Sequence, residues 1–245
     1  MNTTQAVRCG ALAIATVALT GLSACSALKP TPVPPPAFFT LDGGSASALS
    51  ALSTLSAASA ASAASAALAT SVTSGAPTLL VSAPQAGAGL DSPRIIYVRQ
   101  AHQLEYFAHS EWVDTPARML APLIVAALGR AGAFRAVVAT PTAAKADLRL
   151  DTEIVRLQHE FGAPPSHVRL TLRATLSDNT TRQVLAQMDL DHSADAASED
   201  AYGGVVAANH ATRVMLQTLV VFCSRAAQRW QAAESAAAKR VVGRL

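Results

Sequence analysis

The stretch Ser166–Asp178, SHVRLTLRATLSD, constrains the fold of this 245-residue chain more than any other. Val168, Leu170, Leu172, Ala174 and Leu176 alternate with Arg169, Thr171, Arg173 and Thr175. A period of two sends the first set to one face of a strand and the second to the other. The turn residues DNTTR follow, then QVLAQMDLD, with Val184, Ala186, Met188 and Leu190 expected to point inward, which completes a hairpin. Upstream, ADLRLDTEIVRLQHEF opens with the same alternation at Leu148, Leu150, Thr152 and Ile154 and then slips. That slip predicts a β-bulge near Val155.

Shorter strands are expected at Ala37–Leu41, Thr78–Pro84, Arg94–Arg99 and Phe134–Val138, with an extended aromatic stretch at Leu104–Trp112. DTPARMLAPLIVAALGRAG reads as a helix with Asp114 or Thr115 as N-cap and Pro116 in its first turn. Met119, Leu120, Leu123, Ile124, Ala127 and Leu128 share one face, and Gly129 and Gly132 mark the end. Pro122 should bend this helix or shift its start. A second helix is expected from about Glu199 to Lys239, with Val205, Ala208, Thr212, Met215, Leu219, Phe222 and Trp230 on its apolar side. This order of elements describes an α/β or α+β domain, one sheet covered by two helices.

The N-terminus carries a different message. Arg8 precedes the apolar run CGALAIATVALTGL, which is shorter than the ~20 residues of helix needed to span a bilayer. Such a run is a secretory signal. It ends in Leu22-Ser23-Ala24-Cys25, the pattern of a bacterial lipobox, so residues 1–24 are expected to be removed and Cys25 to be acylated. Several acyl chains on one cysteine would hold the protein at a membrane with no transmembrane helix. Ser26, in place of aspartate after the cysteine, favours the outer membrane, periplasmic face.

Residues 25–36 form a Pro-rich stalk suited to polyproline II, and residues 37–42 the first strand. Residues 43–77 are a Ser/Ala-rich low-complexity insertion whose period of three gives no stable helical stripe. The main domain is expected over residues 78–232, and an Ala-rich basic tail over residues 233–245.

Composition closes off several function classes. The net charge is +3 and the basic residues are scattered, so no basic stripe suggests nucleic acid. Of three cysteines, Cys9 leaves with the signal and Cys25 is acylated. Cys223 alone remains, and no intramolecular disulfide is expected. It sits on an apolar helical face and reads as a packing residue.

There is no G-x-S-x-G elbow, no phosphate-binding loop and no dinucleotide fingerprint. His102, His109, His159, His167, His192 and His210 lack metal-site spacing and cysteine partners. His109 beside Glu111 is the one pairing that suggests acid–base chemistry, and alternate strand residues meet often by chance. The acids of Asp189–Asp200 read as a solvated turn before the last helix, with Ser198, Glu199 and Asp200 at its N-terminus. No catalytic residue, metal or cofactor is expected beyond the covalent lipid on Cys25.

In a chain with 4% aromatics, Tyr97, Tyr106, Phe107 and Trp112 fall close together. Core packing accounts for most of them; the sharper reading is that Tyr106 or Trp112 borders a partner- or lipid-contacting surface. Here the sequence resembles a known family. LDSPRIIYVRQAHQLEYFAHSEWVDTPARMLAPLIVAAL, followed by GAFRAVV, ADLRLDTEIVRLQHEF, SHVRLTLRATLSD and VVAANHA, is similar to the ABC-type transport auxiliary lipoproteins. The resemblance is carried by Tyr97, Leu104, Tyr106, Trp112, Pro116 and Arg118-Met119-Leu120, and by AFFTLDG after the lipidated cysteine. The insertion at residues 45–77 and the C-terminal AAESAAAKRVVGRL depart from the family pattern.

The resemblance implies a single three-layer α/β domain, with a mixed, roughly five-stranded sheet and two main helices, similar to the TolB N-terminal domain. It implies a non-catalytic auxiliary role in an MCE-type ABC transport system. The partners would be a periplasmic MCE protein and its ABC transporter, the inner leaflet of the outer membrane, and phospholipid cargo; a homo-oligomer is compatible with it. Tyr97, Tyr106, Trp112 and Arg118 become the candidate partner- or lipid-contact residues. Two other classes compete: a structural or assembly lipoprotein of the envelope, and a lipid-anchored hydrolase using His109 and a carboxylate.

Overall fold

The computed structural model describes residues 35–43, 75–162 and 164–242. The chain divides into two compact units, Met1–Pro35 and Pro36–Leu245. Cys25, the signal segment and most of the Ser/Ala-rich insertion lie outside the described residues.

The second unit is a mixed α/β fold. Its order is β1 (Ala37–Phe39), β2 (Thr78–Val81), β3 (Gln85–Ala86), β4 (Arg94–Val98), β5 (Glu105–Trp112), α1 (Pro116–Arg130), β6 (Ala136–Ala139), β7 (Leu148–Glu160), β8 (His167–Asp178), β9 (Val184–Asp195) and α2 (Ala201–Val242).

The expectation of roughly five strands is corrected: nine described strands form one sheet. The excess arises at β7, whose thirteen residues outrun any single neighbour. Along one edge β7 pairs antiparallel with β8 over its whole length. Along the other it pairs in parallel with β2, β3 and β4 in succession, at Leu148–Leu150, Glu153–Ile154 and His159–Glu160. β6 extends the sheet beyond β2, while β5 and then β1 extend it beyond β4. The bulge falls where the slip in alternation put it, between Ile154 and Arg156, with Val155 turned outward.

One face of the sheet is dry. Leu79, Leu148, Leu150, Ile154, Leu170, Leu172, Ala174 and Leu176 are fully buried in a core shared with Leu120, Ile124 and Leu128 of α1 and Met215, Leu219 and Cys223 of α2. Each such leucine, isoleucine or methionine side chain is worth about 1.5–3 kcal/mol of burial. The other face of β7, β8 and β9 is half-exposed and charged. Arg169 pairs with Asp191 at 2.5 Å, Arg173 with Asp189 at 2.9 Å and Glu153 at 3.3 Å, and Arg149 with Asp151 at 3.0 Å. Both helices meet each other and pack into the core on the dry face. A charged face offers no apolar surface to a further layer.

Two local expectations change. The acids of Asp189–Asp195 belong to β9 and not to a turn, because Asp189 and Asp191 stand opposite Arg173 and Thr171. On β9 only Leu190 of the four inward candidates is buried; Val184 and Met188 are exposed because β9 is an edge strand.

Helix α1 starts at Pro116 with Thr115 as N-cap in extended conformation and runs unbroken through Pro122. Pro122 is on the exposed side, where water can satisfy the carbonyl it leaves unpaired. Gly132, just beyond the end of α1, has φ 68°, a conformation that costs glycine little. Helix α2 is long and apolar enough to cross a membrane, but Met215, Leu219 and Cys223 on it are fully buried against the sheet. It is the core helix of this domain.

Candidate functional site

The four contact candidates go to four different environments. Trp112 closes β5 with 3% of its surface exposed, inside the core. Tyr97 joins an aromatic cluster, its ring 4.7 Å from Phe107 and 5.8 Å from Phe161, with the Arg99 guanidinium 5.1 Å above it. Its hydroxyl donates to Glu105 Oε2 at 2.7 Å, and that bond raises its pKa. Tyr106 is 38% exposed, with the Arg94 guanidinium 5.1 Å from its ring. Arg118 stands in solvent on α1, paired with Asp114 one turn earlier at 3.2 Å. No hydrogen bond, ion pair or ring contact among the described residues joins these four. Tyr106 and Arg118 remain surface residues, whereas Trp112 serves packing.

His109 and Glu111 are likewise not joined by a hydrogen bond among the described residues, and His109 is exposed. The histidine that does make a constellation is His159, which the sequence reading left unassigned. After the bulge, Leu157 and His159 take the inward parity, so the imidazole is carried into the core. His159 Nε2 lies 2.8 Å from Ser166 Oγ, and the Ser166 backbone N–H donates to Glu199 Oε1 at 2.9 Å. Burial is the main cause that lowers the pKa of His159. The bond from Ser166 lowers that of Glu199.

Serine, histidine and glutamate here do not make a nucleophile. The carboxylate bonds the serine instead of orienting the imidazole, and Ser166 is fully buried. The group knots the end of β7 and the start of β8 to the start of α2. Cys223 is also inert: burial pushes its thiol up to about 12.

A groove of about 740 Å³ lies between α1 and α2. Leu120, Ile124 and Leu128 of α1 point into the core, and the neighbouring stripe of Leu123, Ala126 and Ala127 faces Leu216 and Val220 of α2. The small alanines leave the space open. Arg130 and Arg213 stand at its rim, with Asp42 and Gly43.

The rim is built by a bracket on α2. Asn209 Oδ1 accepts from the backbone N–H groups of Asp42 at 2.7 Å and Gly43 at 3.0 Å. Its Nδ2 donates to Thr40 O at 3.0 Å. Arg213 Nε donates to Gly43 O at 2.9 Å, which holds the guanidinium at the groove mouth. An apolar floor with cations at the edge, Arg213 among them held in place, suits an amphipathic occupant. The groove escaped sequence reading because it depends on which stripe of α1 meets α2. The alternation of leucine with alanine in that helix is its only trace.

Among solved structures, the fold is similar to that of protein XCC0632 from Xanthomonas campestris, with 22% identity, 63% of this chain and 87% of that chain covered, and a TM-score of 0.59. Hypothetical protein CT253 from Chlamydia trachomatis aligns at 9% identity, with 61% and 96% covered and a TM-score of 0.44. Lipoprotein GNA1162 from Neisseria meningitidis aligns at 12% identity, with 60% and 95% covered and a TM-score of 0.32. No curated protein matches the chain. The family model described as ABC-type transport auxiliary lipoprotein component matches residues 51–219, more than half of the chain. The chain belongs to the ABC-type transport auxiliary lipoprotein family.

Proposed function

We propose that this protein is the outer-membrane auxiliary component of an MCE-type ABC transport system, which moves lipids or other hydrophobic molecules between the envelope membranes. Family membership over residues 51–219 is the observation that carries this reading. In it, Cys25 bears the acyl chains, the stalk over residues 25–36 sets the reach of the domain, and the domain works by contact and not by catalysis. The groove between α1 and α2 is the contact surface the geometry favours, because it joins an apolar floor to the cations Arg130 and Arg213. Its occupant is the periplasmic MCE protein or the cargo that protein carries.

The test is a photo-crosslinking residue at Ala126, on the exposed side of the groove floor, in the lipidated protein within its own envelope. Capture of an MCE-type protein or a phospholipid is the expected result. Capture of only peptidoglycan-bound or barrel-assembly proteins would replace this reading with that of a structural lipoprotein.

A further inference from the structure

The two most exposed large apolar side chains among the described residues are Tyr202, at 64%, and Phe38, at 61%. They come from opposite ends of the sequence and meet at one place. β1 carries Phe38 and Phe39, and the first turn of α2 carries Tyr202, whose ring centroid is 6.4 Å from that of Phe39. One turn further along α2, Val206 is also exposed. These four line one shallow depression of about 430 Å³ together with Val205. A contiguous apolar patch on a domain surface marks an interaction site.

What covers it follows from where the chain enters. The patch is built on the first strand after the stalk, and only residues 26–36 separate it from Cys25. The twelve Cα-to-Cα steps from Cys25 to Ala37 reach at most about 40 Å when fully extended. A domain of this length is itself roughly 40 Å across. If Cys25 is anchored in a bilayer, the surface around β1 is therefore the part of the domain held nearest to it.

The chemistry agrees with that placement. Aromatic rings with one phenolic hydroxyl, over aliphatic neighbours, suit the headgroup level of a membrane. The polar rim is Thr40, Asn209, His210, Arg213 and Asp42, with Glu199 and Asp200 close by in sequence at the start of α2. Cations and carboxylates are mixed there, so the contact is apolar in origin and not a charge attraction.

We propose that Phe38, Phe39, Tyr202 and Val206 form a membrane-contact patch that seats the domain on the bilayer surface beside its own anchor and fixes its orientation there. This rests on the anchoring of Cys25 stated above.

The experiment uses the full lipidated protein in vesicles of phosphatidylethanolamine and phosphatidylglycerol that carry brominated acyl chains. Phe38→Trp and Tyr202→Trp report on the patch, and Val155→Trp, exposed at the bulge of β7, is the reference. The expected result is severalfold stronger quenching at positions 38 and 202 than at 155, retained near 1 M salt, where the Debye length is about 3 Å. Vesicle flotation with equal quenching at all three positions overturns the patch and leaves the anchor standing. Failure of the unsubstituted protein to float overturns the anchor, and the patch with it. A signal at position 38 that responds to a periplasmic protein and not to brominated lipid makes the patch a protein interface, and so also overturns it.

Discussion

His159 Nε2 and Ser166 Oγ meet at 2.8 Å, while the other ring nitrogen, Nδ1, has no hydrogen-bond partner among the described residues. The imidazole is therefore stable where it is only while it stays neutral. Burial lowers its pKa from the ordinary 6.5 more than any neighbour alters it; the Glu199 and Asp200 carboxylates oppose the shift and His167 adds to it. The unfolded chain then binds a proton that the folded protein refuses. The stabilisation is fully present above about pH 6.5 and is lost as the pH falls from there through the lowered folded value. Denaturant midpoints one unit above and one unit below 6.5 should differ, and His159→Gln should flatten that difference.

Gly204 sits against the same ring. A Cβ at this position would lie 2.5 Å from His159 Nδ1, a distance that buried, packed atoms cannot hold. Gly204→Ala should destabilise by about 1–3 kcal/mol, the usual cost of overpacking. Adding His159→Ala should recover part of that loss, and a double-mutant cycle on the unfolding free energies measures the coupling.

Trp112 and Tyr106 should separate cleanly. Trp112→Ala removes a core side chain that is 3% exposed and should cost about 3–5 kcal/mol. Tyr106→Ala forfeits the approach of Arg94 and should cost no more than about 1 kcal/mol. Thermal or denaturant unfolding of the two variants checks this. A loss of partner capture in Trp112→Ala would then report unfolding, and the same loss in Tyr106→Ala would report contact.

Asn209 is the bracket between β1 and α2. Asn209→Ala leaves the N–H groups of Asp42 and Gly43 without that acceptor and should destabilise by about 1–3 kcal/mol. Limited proteolysis should reveal new cleavage close to Gly43 before the rest of the domain is attacked.

The sequence made legible whatever depends on local period. Leu170, Leu172, Ala174 and Leu176 are buried as their alternation requires, and Val155 falls in the bulge that the slip required. Leu120, Ile124 and Leu128 face the core as their spacing demands. What depends on partners across the fold was not legible. Met188 lies opposite Ala174 of β8, yet it is exposed because no strand among the described residues pairs with the other edge of β9. The strand count was low because a local pattern cannot announce that one edge of β7 serves three strands in turn. Trp112 and Tyr106 are six positions apart, which a strict period of two would put on one face; the register shift between Arg94 and Ile96 in the β4–β5 pairing lies between them, and Trp112 is buried while Tyr106 is exposed. The groove between α1 and α2 belongs to the same class, since its walls are seventy or more residues apart in sequence.

The parallel pairing of β1 with β5 has a mechanical consequence. The bonds of Ala37, Phe38 and Phe39 to the strand Ser110–Trp112 lie across the axis of β1. A pull along β1 from Pro36 loads them together, in shear, instead of breaking them one by one as a peeled hairpin would. Any slip that begins there next meets Asn209 and Arg213, which grip residues 40–43 from the first third of α2. Tension arriving from the N-terminal side is thus handed to the longest helix of the domain, and the sheet can be towed without being unzipped.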